Sequence, residues 1–222
     1  AAAILLAALS CVVRPAAEAP AQNISVTGGA VQSNVAPTTY DSITVSGTSA
    51  LGAPSTYTAD APLTLNNALS FTGAGAVNRL GGSYSASNLS LSDNAALSYD
   101  SGDTITSSIL LSGTSSLTLN RNLTMDGRLS IGTGSSLARA TSTINADSFS
   151  VDNVALQLIA GDSFHPWYIP SAIVNGGVVN AMTGASIGSV NISGVNDTNE
   201  RSTLNILGNV TAWYIASSGV VN

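Results

Sequence analysis

Residues 109–131 read ILLSGTSSLTLNRNLTMDGRLSI and hold one short pattern twice. An apolar, period-two run ends at Leu111, Ser112 and Gly113 turn the chain, and Leu117, Thr118 and Leu119 resume the alternation. Leu123, Thr124 and Met125 repeat the approach, Asp126 and Gly127 turn, and Leu129, Ser130 and Ile131 resume. Alternation of apolar and small polar residues sends one set of side chains to a core and the other to solvent, which is a half-buried β-strand. Ser-Gly or Asp-Gly between two such runs is a turn, because glycine takes positive φ without steric cost.

Looser copies fill the rest of the chain. Ile43, Thr44 and Val45 lead through Gly47 to Leu51, and Leu63, Thr64 and Leu65 lead to Leu69 and Phe71. Leu89 and Leu91 lead to Leu97 and Tyr99, Phe149 and Val151 to Leu156 and Leu158. Val190 with Ile192, and Leu204 with Ile206, close the series; Ile173, Val174, Val178 and Val179 read as degenerate copies. Copies begin at positions 43, 63, 89 and 109, a spacing of 20 to 26 that marks a solenoid, in which no coil can bury its inner face alone. The copies at 109 and 123 stand only 14 apart, which is read as irregular coil length. No helical period is sustained anywhere, so no helix is expected after the N-terminal segment. The expected fold is an all-β parallel β-helix of about eight to ten coils of about 20 residues. An antiparallel β-sandwich is the competing architecture, since it too has short strands and frequent turns.

Composition agrees with stacking. Only 8% of the 222 residues are charged, against a typical share of about a quarter. There is no lysine, acidic residues outnumber the six arginines two to one, and the pI is about 4.3. This balance lacks the basic footprint of a nucleic-acid binder and the polybasic patch of a membrane-surface protein. In a parallel stack each outward side chain lies about 4.8 Å from its counterpart. Like charges so placed repel, whereas Ser, Thr and Asn hydrogen-bond along the column.

The pattern Leu-x-(Val/Leu/Met)-(Ser/Asp/Asn)-(Gly/Asn)-x-x-x-Leu-x-(Leu/Ile), over residues 40–210, resembles the repeats of bacterial autotransporter passengers and related secreted β-helix surface proteins. The resemblance implies a right-handed parallel β-helix at or beyond the cell surface, adhesive or structural in role. No C-terminal membrane barrel sequence accompanies it, so the chain is expected to be a fragment of a longer one or a solenoid exported by another route.

Residues 1–21 read as a secretory signal truncated at its start: an apolar run, AAAILLAAL, then Ala19, Pro20 and Ala21 ahead of a cut before Gln22. The remaining 22–222 form the expected solenoid domain. Cys11, the only cysteine, falls in the signal, so the mature chain has no disulfide framework.

Candidate chemistry is sparse. Residues 162–170, DSFHPWYIP, break the pattern and gather the only histidine, a tryptophan, a tyrosine and two prolines. His165, Trp167 and Tyr168 are the candidate ligand-contact loop, with ring stacking on sugar as one reading and packing of Phe164, Trp167 and Tyr168 over the solenoid flank as the other. As a catalytic base His165 has only Asp162 near it in sequence. Asp100 with Asp103, and Asn196 to Glu200, place oxygen ligands in turns that suit Ca²⁺, but the same residues form turns unaided, and no cofactor is expected. A polysaccharide lyase or hydrolase, the enzymatic alternative, would need converging acids; Asp126, Asp147 and Asp152 with Arg128 and Arg139 are the nearest set. The expected function is therefore a non-enzymatic, secreted or surface-exposed adhesin or structural rod. Its expected partners are host or matrix surfaces, including glycans, through extended multivalent contacts. Membrane association would come only through an anchor outside this chain, and open β-helix ends predict end-to-end self-association.

Overall fold

A computed structural model describes residues 22–48, 50–73, 77–101, 104–105, 108–165, 172–192 and 201–222. The expected signal segment lies outside the described residues. Within them the chain is all strand and turn, 27 strands with no helix, and every ladder between named strands is parallel. This rules out the sandwich. The strands wind into a β-solenoid of about nine coils.

Coils up to Phe164 contribute three strands to three faces; beyond them Ser186–Ile192, and Thr211–Ser217 after it, run through the third face and the next first face as one strand. In the central coil the three strands are Ser108–Leu111 on the first face, Ser116–Leu119 on the second and Leu123–Met125 on the third. The chain then returns to the first face at Arg128–Ile131, one coil further on. The two copies within 109–131 are thus not successive coils. The second bridges the third face of one coil and the first face of the next, which explains the apparent interval of 14. The true interval is 20, since Leu69, Leu89, Ile109, Leu129 and Phe149 each pair with the next in register.

Alternation builds the core directly. The column Ile43, Leu69, Leu89, Ile109, Leu129, Phe149, Ala172 and Val190 runs down the interior of the first face, none of it more than 1% exposed. A parallel column of Val45, Phe71, Leu91, Leu111, Ile131, Val151 and Val174 lies beside it, equally buried. Each fully buried aliphatic or phenylalanine contributes roughly 1.5–3 kcal/mol relative to exposure. Leu51 does not belong to this set: it is 97% exposed, in the loop between Ser46 and Thr56 that a Thr48–Pro54 bridge pinches, and Tyr57 and Ala59 take the core positions.

The corners obey two rules. Between first and second faces a left-handed residue is required, supplied by Gly113 and Gly134 and, without glycine, by Asp93 and Asn153. Between third and first faces it is not. Gly127 takes no positive φ, and Asp147, whose amide donates to the Gly127 carbonyl, holds the equivalent place one coil on. Asp126 and Gly127 therefore form a turn by a different mechanism from Ser112 and Gly113.

Candidate functional site

Outside the core the faces carry columns of hydroxyls and amides. Ser90 donates to Ser70 at 3.0 Å, Ser92 to Thr72 at 3.2 Å and Ser150 to Ser130 at 3.0 Å. On the second face Asn205 donates to Asn180 at 2.7 Å and Asn222 to Asn205 at 2.8 Å. Where charges do stack they alternate in sign: Arg79 lies between Asp60 and Asp100, at 2.6 and 2.5 Å, and Asn120 caps Asp100 at 2.6 Å. Partial burial pulls the Asp100 carboxyl up, but hydrogen bonds from Asn120 and Arg79, with the charge of Arg79, outweigh it and hold the group below the ordinary carboxylate value.

One coil departs from this regularity. Counted between inward-facing residues, the corner from first to second face holds five residues at 92–96, 112–116 and 132–136, but four at 152–155 and again at 175–178. Arg128 pairs with Ser148 on the first face, 20 residues on, while Asn145 pairs with Ser163 on the third, 18 on. The shortened corner displaces the second-face strand. Ser136–Arg139 ends a six-stranded ladder, Ala155–Leu158 begins a separate one of four, and nothing pairs the two strands. Most Cα pairs across this break are more than 8 Å apart, where ladder neighbours sit at about 4.8 Å.

Arg139 closes the break. It pairs in register with the buried Leu119, so its side chain stands at a core position and only 6% of it is exposed. Its guanidinium meets both oxygens of Asp162 at 2.6 Å and donates to the carbonyls of Ser142 and Gln157. Asp162, its side chain fully buried, also accepts the amides of Ile144 and Ile159, both at 2.8 Å. A buried carboxylate with four donors and a fork-on-fork arginine is the arrangement in which a buried charge pair is tolerated. Two shallow depressions flank it on the second face. One, of about 310 Å³, lies between Leu137, Arg139, Leu156 and Gln157; the other, of about 430 Å³, lies between Leu119, Asn120, Arg139 and Ser142.

The sequence-predicted residues fall elsewhere. His165 is described and half-exposed, its Nδ1 2.6 Å from Asp147 Oδ1 on the corner between third and first faces. Trp167 and Tyr168 lie outside the described residues. Phe164 is neither a loop ring nor a flank residue: it is fully buried and meets Phe149 edge to face, with centroids 4.6 Å apart. Asp162, read as a partner for His165, belongs to Arg139 instead. Asp147 and Asp152 flank strand Ser148–Asp152 at opposite ends of the first face, about 16 Å apart along an extended chain. Asp152 accepts from Asn175, and Arg128 donates to Ser148. Asp126, Arg128 and Asp147 share the corner between third and first faces on adjacent coils, whereas Asp152 and Arg139 stand away from it. Of the Ca²⁺ candidates, Asp100 is taken by Arg79 and Asn120, while Asp103 and residues 196–200 lie outside the described set. Among the described residues no group of three or more His, Cys, Asp or Glu is placed to hold a metal.

Arg139 was visible as an anomaly. It stands where Leu119 and Leu158 stand in neighbouring coils, a charge on the apolar beat. No family model, curated protein or solved structure matches the chain.

Proposed function

We propose that this chain is an extracellular rod, secreted or held at a cell surface, that adheres to matrix or glycan-bearing surfaces through repeated weak contacts along its faces. The observation that carries this reading is the set of stacked, uncharged hydroxyl and amide columns. They present donors and acceptors at about 4.8 Å intervals in runs of two or three coils, the exposed Leu110 standing between the Ser70–Ser90 and Ser130–Ser150 pairs. Each contact is weak, and linking many on one rigid body multiplies apparent affinity by factors of about 10² to 10⁴.

The test is adhesion of beads coated with the purified chain to glycan- and matrix-coated surfaces. Ser90→Arg, Ser130→Arg and Asn180→Arg would be introduced singly and together. Each alone lowers retention modestly, and the triple variant loses it by a factor well beyond any single loss. Abolition by one substitution with no effect of the others would replace the avidity reading with a single pocket. Release of new reducing ends from a polysaccharide would replace it with the enzymatic one.

A further inference from the structure

We infer that Arg139 and Asp162 form a clasp across a built-in parting plane, which divides the solenoid into two separately cooperative segments, residues 22–147 and 148–222. Three observations converge on this plane. The second-face ladder is interrupted there, between Ser136–Arg139 and Ala155–Leu158. The first-to-second corner, counted between inward-facing residues, shortens from five residues (132–136) to four (152–155) at the same coil. The two segments are stitched on that face by side chains: Arg139 belongs to the coil before the break, Asp162 and the Gln157 carbonyl to the coil after it.

The geometry also sets the direction of opening. First and third faces remain paired across the plane, Arg128 with Ser148 and Asn145 with Ser163. Their shared corner, opposite the second face, is held by the Ser148 amide on the Gly127 carbonyl, by the His165 amide on the Ala146 carbonyl, and by the His165–Asp147 pair. The coils therefore part on the second face and turn about this corner, as a hinge opens opposite its pin. Stability in stacked repeats is a sum of coil terms and nearest-neighbour interface terms, and cooperativity divides where one interface is weak. A ladder that is missing on one face of three weakens this interface. The third-face ladder also breaks between Tyr84–Ser85 and Thr104–Ile105, but those strands stay within 8 Å of each other, whereas Ser136–Arg139 and Ala155–Leu158 mostly do not. The buried, geometrically exacting ion pair replaces it with a connection that one substitution can remove.

Residue-resolved hydrogen exchange in mild denaturant tests the inference on the unaltered chain first. The amides of residues 148–165 and 172–192 should exchange through one common opening and those of residues 88–101 and 108–131 through another. A single opening shared by all protected amides would overturn the proposal without recourse to any variant. Arg139→Lys keeps the charge but loses the fork. It should speed exchange at Ile144 and Ile159, whose amides donate to Asp162, by about tenfold, and Arg139→Met by about a hundredfold or more. Amides remote from the plane, such as Ser112 and Ser116, which donate to Leu91 and Ala95, should keep their rates. Unchanged rates at Ile144 and Ile159 would sink the clasp, and uniform acceleration along the whole rod would sink the parting plane.

Discussion

Introducing two carboxylates into a single serine column tests why this chain is so poor in charge. Ser70 and Ser90 are register partners on adjacent coils, with hydroxyls 3.0 Å apart. Ser70→Asp or Ser90→Asp alone replaces the hydroxyl–hydroxyl bond of about 1 kcal/mol by a serine hydroxyl donating to a half-exposed carboxylate with neutral neighbours. The double variant adds a like-charge pair at the coil spacing of about 4.8 Å. Coulomb's law gives about 0.9 kcal/mol of repulsion there in bulk water and about 3.5 kcal/mol at the effective dielectric of a protein surface. The extra cost should fall between these limits. Urea unfolding of the four variants in a double-mutant cycle measures it, and repeating the cycle at about 1 M salt, where the Debye length drops to about 3 Å, should remove most of it. Ser70→Asp combined with Ser90→Arg should show coupling of the opposite sign, as Asp60, Arg79 and Asp100 already do. Coupling below about 0.5 kcal/mol at low salt would mean the columns are not stacked side chain on side chain, and the compositional argument would fail.

Three further outcomes follow from particular contacts. Asp100 has a depressed folded pKa, so its pairing contributes stability that is full above the ordinary value of 3.8 and is lost as the pH falls below it; Asp100→Asn should flatten the acid limb of the stability–pH profile measured by denaturant unfolding. Gly177→Ala should cost more than Gly28→Ala by melting temperature. A Cβ at 177 would stand 2.5 Å from the Val154 carbonyl oxygen, a backbone clash of about 1–3 kcal/mol or more, whereas at 28 it meets open space and only the left-handed φ, about 1–2 kcal/mol, opposes it. The buried hydroxyls of Tyr57 and Tyr84 find no partner, so Tyr84→Phe should leave stability unchanged or raised. Burial, with Tyr40 nearby, pushes the Tyr57 phenol up to about 12. Its contribution is thus full below the ordinary value of 10.0 and is lost as the pH rises through the folded value, which phenolate absorbance against pH would show.

Much of this architecture was legible because a parallel coil writes itself into sequence as alternation with a fixed interval. The interior columns through Leu89, Ile109 and Leu129 could be read directly. The phase could not. Three strands per coil give corners that look alike in sequence, and only pairing shows that Leu123, Thr124 and Met125 face a different side from Ile109 to Leu111. Leu51 was misplaced because an apolar residue after a glycine turn resembles a strand start, while the longer loop that carries it leaves no periodic trace. The Asp126–Gly127 corner misled for the opposite reason: glycine there signals freedom that the backbone does not use. The sequence offers Arg139 and Asp162 other partners, because their meeting depends on a corner shortened by one residue, whose effect appears only when coils are laid against each other.

The constant interval of 20 from Leu69 to Phe149 has a consequence for how such a molecule can vary in size. Excising residues 109–128 would bring Leu129 into the place of Ile109 with every inner residue still facing inward, and duplicating them would do the reverse. The length of the rod is therefore quantised, one rung of about 4.8 Å per twenty codons gained or lost. Losing a single residue in the same span would turn a whole rung inside out. Recombination between neighbouring repeats could lengthen or shorten this protein like a telescoping ruler, so long as it kept to whole rungs.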